Sequence, residues 1–220
     1  GLLEEHEVDL VITDSNLQGM DGMELCRTIS SNVEISHIPL IILSSHSSAQ
    51  SKIEGMESGA SVYIEKPFSI DYLQVCINNI LGRPSKLKQI YKNKFIPPLA
   101  TQMFDLTQTD EKFLNQLDEV IYSNISDPSF SNEEIAKALY MSKSTLTRKI
   151  KALLDTTPND YIRTKRLVLA AQMLSESTCR VNEVCYSVGF NTPSYFAKCF
   201  KKAYGVLPME YMSREKNEDE

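Results

Sequence analysis

The 220-residue chain has no tryptophan, only three histidines and only five cysteines. His6, His37 and His46 lie apart and give no metal-ligand spacing, so they read as surface or loop residues. Cys26, Cys76, Cys179, Cys185 and Cys199 are odd in number and form no C-x-x-C pair. That pattern suits neither a disulfide framework nor a zinc site; it suits reduced core thiols in a reducing compartment. No apolar run is long enough to span a bilayer, and no signal peptide is visible. The expected setting is cytoplasmic, either free or as the cytoplasmic end of a membrane-anchored protein, without membrane contact of its own. An excess of positive charge is missing too. The net charge is −6, which taken alone argues against a nucleic-acid partner.

The distribution of charge points the other way. Between Lys137 and Lys202 basic residues outnumber acidic ones by eight, and the first 84 residues carry the opposite excess of eight. A basic nucleic-acid module attached to an acidic partner is the expected organisation. At this length two domains, each with its own core, are the natural reading.

One pattern occurs twice in the basic part: a short helix, a tight turn, and a second helix carrying small polar and basic residues. In the first copy Ser131 and Glu134 have capping-box spacing, and Ile135, Ala136 and Leu139 share a face. Met141 and Ser142 form the turn, with Ser142 capping the next helix. Leu146 and Ile150 point inward, leaving Ser144, Thr145, Thr147, Arg148, Lys149 and Lys151 outside. In the second copy Val181, Val184 and Val188 hold the first helix and Gly189-Phe190 ends it. Thr192-Pro193 opens the next helix, with Phe196, Phe200 and Tyr204 inward. Ser194, Tyr195, Lys198, Lys201 and Lys202 face out, Gly205 stops the helix, and Pro208 follows. Between the copies, Thr157 to Asp160 caps a long helix bearing Ile162, Leu167, Ala170, Ala171 and Leu174. Apolar stripes holding polar and basic faces outward are what a groove-reading helix-turn-helix needs. Two such helices on one side of double-stranded DNA would enter major-groove segments about 34 Å apart.

The runs V-N-E-V-C-Y-S-V-G-F-N-T-P-S-Y-F-A-K-C-F-K-K-A-Y-G-V-L-P-M-E-Y and Y-I-R-T-K-R-L-V-L-A-A-Q-M-L resemble the signature and linker helix of AraC/XylS-type transcription regulators. The resemblance covers about residues 110–212. It implies base reading by Ser144, Thr147 and Arg148 in the first recognition helix, and by Ser194 and Lys198, with Tyr195, in the second. Arg148 is the candidate for a bidentate guanine contact. Lys149, Lys151, Arg163, Lys201 and Lys202 are candidates for phosphate contact or simple solvation.

The acidic part alternates strand and helix. Val8 to Thr13 reads as a buried strand delivering Asp14 to its end. A Gly-rich turn and a helix from Met23 to about Asn32 follow. Ile38 to Leu43 is a second strand ending at Ser44, Ala49 to Ser58 a helix, Ser61 to Ile64 a third strand ending in Glu65-Lys66-Pro67-Phe68, and Ile70 to Leu81 a closing helix. Gly1 to Glu7 reads as the tail of a preceding helix. Such alternation gives a parallel α/β sheet with its site beyond the strands' carboxyl ends. Asp14, Ser44 and Lys66 stand there: a nucleophilic carboxylate, a hydroxyl and an ammonium, the apparatus for carrying a phosphoryl group on aspartate. Lys66-Pro67 is a candidate cis peptide.

The segments D-S-N-L-Q-G-M-D-G, I-P-L-I-I-L-S-S and Y-I-E-K-P-F resemble the receiver domain of two-component response regulators. The resemblance implies that Asp14 is the phosphoacceptor, Ser44 the switch hydroxyl, Tyr63 the switch aromatic and Lys66 the invariant lysine. It also implies Mg²⁺ bound by Asp14 and the Asn16 carbonyl, with a histidine kinase domain as phosphoryl donor. Gln18 stands where the family has proline. Against the family's full pattern, the first strand, first helix and second strand are absent, and with them the acidic pair completing the Mg²⁺ site. The expected fold class is therefore a partial, flavodoxin-like receiver followed by an all-α domain of two helix-turn-helix motifs joined by a long helix. Val8 to Thr13 would then be an exposed edge inviting a homodimer.

The expected domains are a truncated receiver at 1–82, a Pro- and Lys-rich linker at 83–109 with one short helix around Leu87 to Lys92, a DNA-binding domain at 110–212 and an acidic disordered tail at 213–220. The expected function is a DNA-binding response regulator controlled at Asp14, similar to the C-terminal part of hybrid two-component regulators. The competing readings are a receiver that serves only for docking or dimerisation, and an aspartate-nucleophile phosphatase. The last needs a second aspartate where this chain has Asn16.

Overall fold

The computed structural model describes residues 3, 6, 8–17, 19–82, 107–176 and 179–218. The Gly1 to Glu7 helix tail apart from residues 3 and 6, Gln18, and the linker helix around Leu87 to Lys92 lie outside the described residues. The chain divides into two compact units, one built on the strands and the other holding most of the helices from residue 115 on.

The α/β unit runs β1 (Val11–Asp14), α1 (Gly22–Ser31), β2 (Leu40–Ser44), α2 (Ala49–Glu57), β3 (Val62–Glu65) and α3 (Ile70–Gly82). The three strands form one parallel sheet in the order β1-β2-β3, with Asp14 beside Leu43 and Ser44 beside Glu65. The apolar strands are covered on both faces. Cys26, Ile29, Ile35, Ile38, Leu40 and Ile42 form one buried cluster, and Ile41, Ile64 and Cys76 the other. Helices on both faces of a parallel sheet explain why β2 reads as a continuous apolar run rather than an alternating one. β1 lies at the sheet edge. It is shorter than the expected Val8 to Thr13, because ladder pairing with β2 begins only at Val11. The Asp21 carboxylate caps α1 by accepting from the Met23 N–H, and Ser48 caps α2 through the Ser51 N–H. The Lys66-Pro67 peptide is cis, as the sequence suggested.

The helical unit contains α4 (Gln108–Ser123), α5 (Asn132–Ala138), α6 (Lys143–Leu154), α7 (Pro158–Glu176), α8 (Val181–Ser187), α9 (Pro193–Tyr204) and α10 (Pro208–Glu218). The caps follow the sequence. The Glu134 carboxylate accepts from the Ser131 N–H at 2.8 Å, and the Ser142 hydroxyl accepts from the Thr145 N–H at 3.1 Å. Gly189 and Gly205 are both left-handed.

α7 serves both modules. Tyr161, Ile162 and Lys165 on its first half are buried, and the Asp118 carboxylate on α4 accepts from the Tyr161 hydroxyl and the Lys165 ammonium, each at 2.6 Å. Leu167, Ala170, Ala171 and Leu174 on its second half pack with Val184, Val188, Phe196 and Phe200 of the second module.

Two expectations are corrected. Lys149, placed on the outer face of α6, has 0% exposure, and Thr145 beside it is buried. Thr145 lies one residue before inward Leu146 and Lys149 one before inward Ile150, so the buried stripe of α6 is wider than the two apolar residues mark. The segment assigned to an acidic disordered tail from residue 213 begins instead inside α10, which continues to Glu218. α10 is anchored by Tyr211, whose ring meets Phe200 and Tyr204 edge-on, each at 5.4 Å between centroids.

Candidate phosphoacceptor site and nucleic-acid interface

The backbone ladder that forms the sheet also assembles the first site. At the carboxyl ends of the strands, the Ser15 N–H donates to the Leu43 carbonyl at 2.8 Å, and the Lys66 N–H donates to the Ser44 carbonyl at 2.7 Å. These bonds carry the pairing one residue past each strand and bring Lys66 over β1. Its ammonium donates to Asp14 Oδ2 in an ion pair, and the Asn16 N–H donates to Asp14 Oδ1 at 3.1 Å. The Lys66 hydrogen bond, then the Asn16 N–H, hold the Asp14 carboxyl below its ordinary pKa, keeping it an anion.

Ser44 is fully buried. Its hydroxyl oxygen accepts from the Ser15 hydroxyl at 2.8 Å and from the His46 N–H at 3.1 Å. The Tyr63 hydroxyl in turn donates to the His46 carbonyl at 2.9 Å. Sequence reasoning placed Ser44 and Tyr63 at this end of the sheet but missed Ser15 and His46, which connect them. The signal available was only their position one and two residues past a strand end.

For Mg²⁺ the residues at hand are Asp14 and Asn16. Among the described residues no three His, Cys, Asp or Glu side chains converge, and the one carboxylate here, Asp14, is already paired with Lys66. Mg²⁺ demands near-octahedral oxygen ligation. Asp14 and the Asn16 carbonyl would hold such an ion together with water, which Mg²⁺ retains readily.

The second site lies on α6 and α9. Ser144, Thr147 and Lys151 are exposed, Arg148 half-buried and Lys149 buried. The Thr147 hydroxyl donates back to the Lys143 carbonyl at 2.8 Å, and Lys151 pairs with Asp155 at 2.7 Å. On α9, Ser194, Tyr195, Lys198, Lys201 and Lys202 are all exposed or half-exposed. Arg163 on α7 is engaged within the protein: it pairs with Asp160 and has the Tyr195 phenol as a second neighbour.

Residues 1–78 match the response regulator receiver domain family, and residues 135–214 match a helix-turn-helix domain family. The two matches together set a receiver-like domain beside a helix-turn-helix domain, a combination that fits a DNA-binding response regulator. Among its relatives is Histidine kinase P4 of Formosa agariphila, 36% identical over 97% of this chain but only 15% of that protein. The two-component response regulator PhoP of Pseudomonas aeruginosa is 35% identical over 39% of this chain and 37% of its own. The C-terminal domain of AraT, a response regulator from Geobacillus stearothermophilus, is 29% identical over 46% of this chain and 84% of that domain, with a TM-score of 0.43. This chain spans about one-seventh of the kinase's length. Among the described residues no helix is long and apolar enough to cross a membrane.

Proposed function

We propose that Asp14 accepts a phosphoryl group and that its modification shifts the helical unit toward a DNA-competent or dimeric state. The observation that carries this reading is the Lys66 ammonium on the Asp14 carboxylate at the carboxyl edge of the sheet. An Asp14 oxygen attacks phosphorus and the donor leaves with its bonding electrons, while Lys66 offsets the added negative charge. Ser44 and Tyr63, joined through His46, relay the change. The donor is a histidine kinase domain. Similarity along 97% of the chain to a protein named as a histidine kinase supports a hybrid regulator in which kinase and receiver share one polypeptide. In such a protein the three-stranded sheet is part of a larger receiver, and β1 pairs with one of its further strands. The receiver then spans residues 1–82 and the DNA-binding domain residues 110–212.

DNA reading falls to Ser144, Thr147 and Arg148 on α6 and to Ser194, Tyr195 and Lys198 on α9. Lys151, Lys201 and Lys202 bind phosphate. Arg148 sets sequence preference, worth about 1–3 kcal/mol against a wrong base.

A second reading is a receiver that only docks or dimerises, with β1 at the sheet edge as the pairing surface. Treating the full chain with a small acyl phosphate and measuring intact mass separates the two. A phosphoryl gain that disappears in Asp14→Asn supports the first. No gain, with Arg148→Ala still flattening sequence preference, leaves the second.

A further inference from the structure

α7 is not the only tie between the two helix-turn-helix modules. The turn after α4, in the first module, ends in two carbonyls that face the middle of α7. Arg166 reaches both: Nε donates to the Ile125 carbonyl at 3.1 Å and Nη2 to the Asp127 carbonyl at 2.5 Å. The turn presenting these carbonyls is closed by Asp127, whose carboxylate accepts from the Ser129 N–H at 2.8 Å and the Ser129 hydroxyl at 2.7 Å.

The second module meets the same point. Gly189, in the turn between α8 and α9, is buried at φ +79°. A β-carbon there would stand 2.3 Å from the Ile125 carbonyl oxygen and 2.9 Å from Arg166 Cζ. The next residue, Phe190, packs edge-on against Phe196 of the second recognition helix at 5.1 Å. One guanidinium therefore lies among the carboxyl end of α4, the linker helix and the turn that launches α9.

We propose that Arg166, wedged between the Ile125 carbonyl and Gly189, is a positioning residue that fixes the distance and twist between the two recognition helices and so sets the half-site spacing the protein accepts. This rests on the DNA-binding reading. Arg166 touches no base in this scheme; it acts through the junction. A guanidinium suits the role because its planar fork holds two carbonyls at once, which an ammonium does with less directional control. The precision required is high, since one inserted base pair moves the second half-site by about 3.4 Å along the duplex.

The test uses the full chain and duplexes selected from a random library by the wild-type protein. Between the two protected segments of the selected sequence, one base pair is inserted or deleted, and affinity is measured for each spacing. Wild-type protein should prefer the selected spacing about tenfold or more. Arg166→Gln should reduce that ratio below about threefold, while helix content and affinity for a single half-site hold. Arg166→Lys, which keeps the charge and loses the fork, should fall between them and serves as the readout should Arg166→Gln unfold. An undiminished spacing ratio in a folded Arg166 variant overturns the inference, as does a wild-type protein indifferent to spacing. Failure of wild-type protein to select any sequence would instead remove the DNA-binding reading beneath it.

Discussion

Gly22 approaches Asp14 so closely that a β-carbon at residue 22 would stand 2.1 Å from the Asp14 carbonyl oxygen. The contact is clasped by the Gly22 N–H, which donates to the Ser15 carbonyl at 3.0 Å. The amino end of α1 is thereby pressed onto the backbone that carries Asp14, the proposed phosphoacceptor. The obstacle to a larger residue is main chain, which cannot rotate away as a side chain can. Gly22→Ala should destabilise the α/β unit by about 1–3 kcal/mol, the usual range for forced overpacking. It should also lower phosphoryl uptake at Asp14. Urea unfolding and intact-mass measurement on the same preparation check both; an alanine variant of unchanged stability would contradict the packing described.

The Asp14–Lys66 pair predicts a pH dependence of known sign. Asp14 is held below its ordinary pKa, so the pair's contribution is complete at neutral pH and is lost as pH falls through the lowered value. Both side chains are about one-third exposed, so that contribution is small, on the order of 0.5 kcal/mol. In Lys66→Ala the Asp14 carboxyl should titrate closer to the ordinary aspartate range, though still lowered by the Asn16 N–H. Carboxyl-carbon NMR across the acid range measures the shift directly. An unmoved titration would show that the ion pair does not form in solution.

Tyr140 occupies a left-handed conformation, φ +55°, in the turn before α6, and it is 96% exposed. A left-handed backbone costs an ordinary residue about 1–2 kcal/mol, and asparagine tolerates it better. The tyrosine ring recovers nothing by packing. Tyr140→Asn should therefore stabilise the helical unit by up to about 1 kcal/mol, visible as a higher denaturant midpoint at unchanged slope. A lower midpoint would mean that the ring makes contacts its exposure does not reveal.

Much of this molecule could be read from its sequence because its signals are local. Ser142 and Thr192 lie immediately before their helices, and Gly189 and Gly205 terminate theirs in the conformation glycine adopts most easily. Strand ends were harder. The residues Val8 to Leu10 continue the apolar run of β1, but a strand needs a partner, and β2 offers one only from Val11. Pro208 was legible as a stop after Gly205, yet it also opens α10, because proline suits the first turn of a helix as well as the space beyond one. Lys149 shows the limit of periodicity. A basic residue beside an inward apolar stripe reads as solvated, and only the packed structure shows it buried. The Arg166 junction was invisible for a different reason: its partners are main-chain carbonyls, and any residue at 125 or 127 brings one.

The division of α7 between two neighbours has a consequence for how the helical unit comes apart. Its early residues complete one module's interior and its later ones the other's, so neither module keeps a full interior once this helix is lost. Damage to either module should spread to the other through their common member, and the pair would survive or melt together.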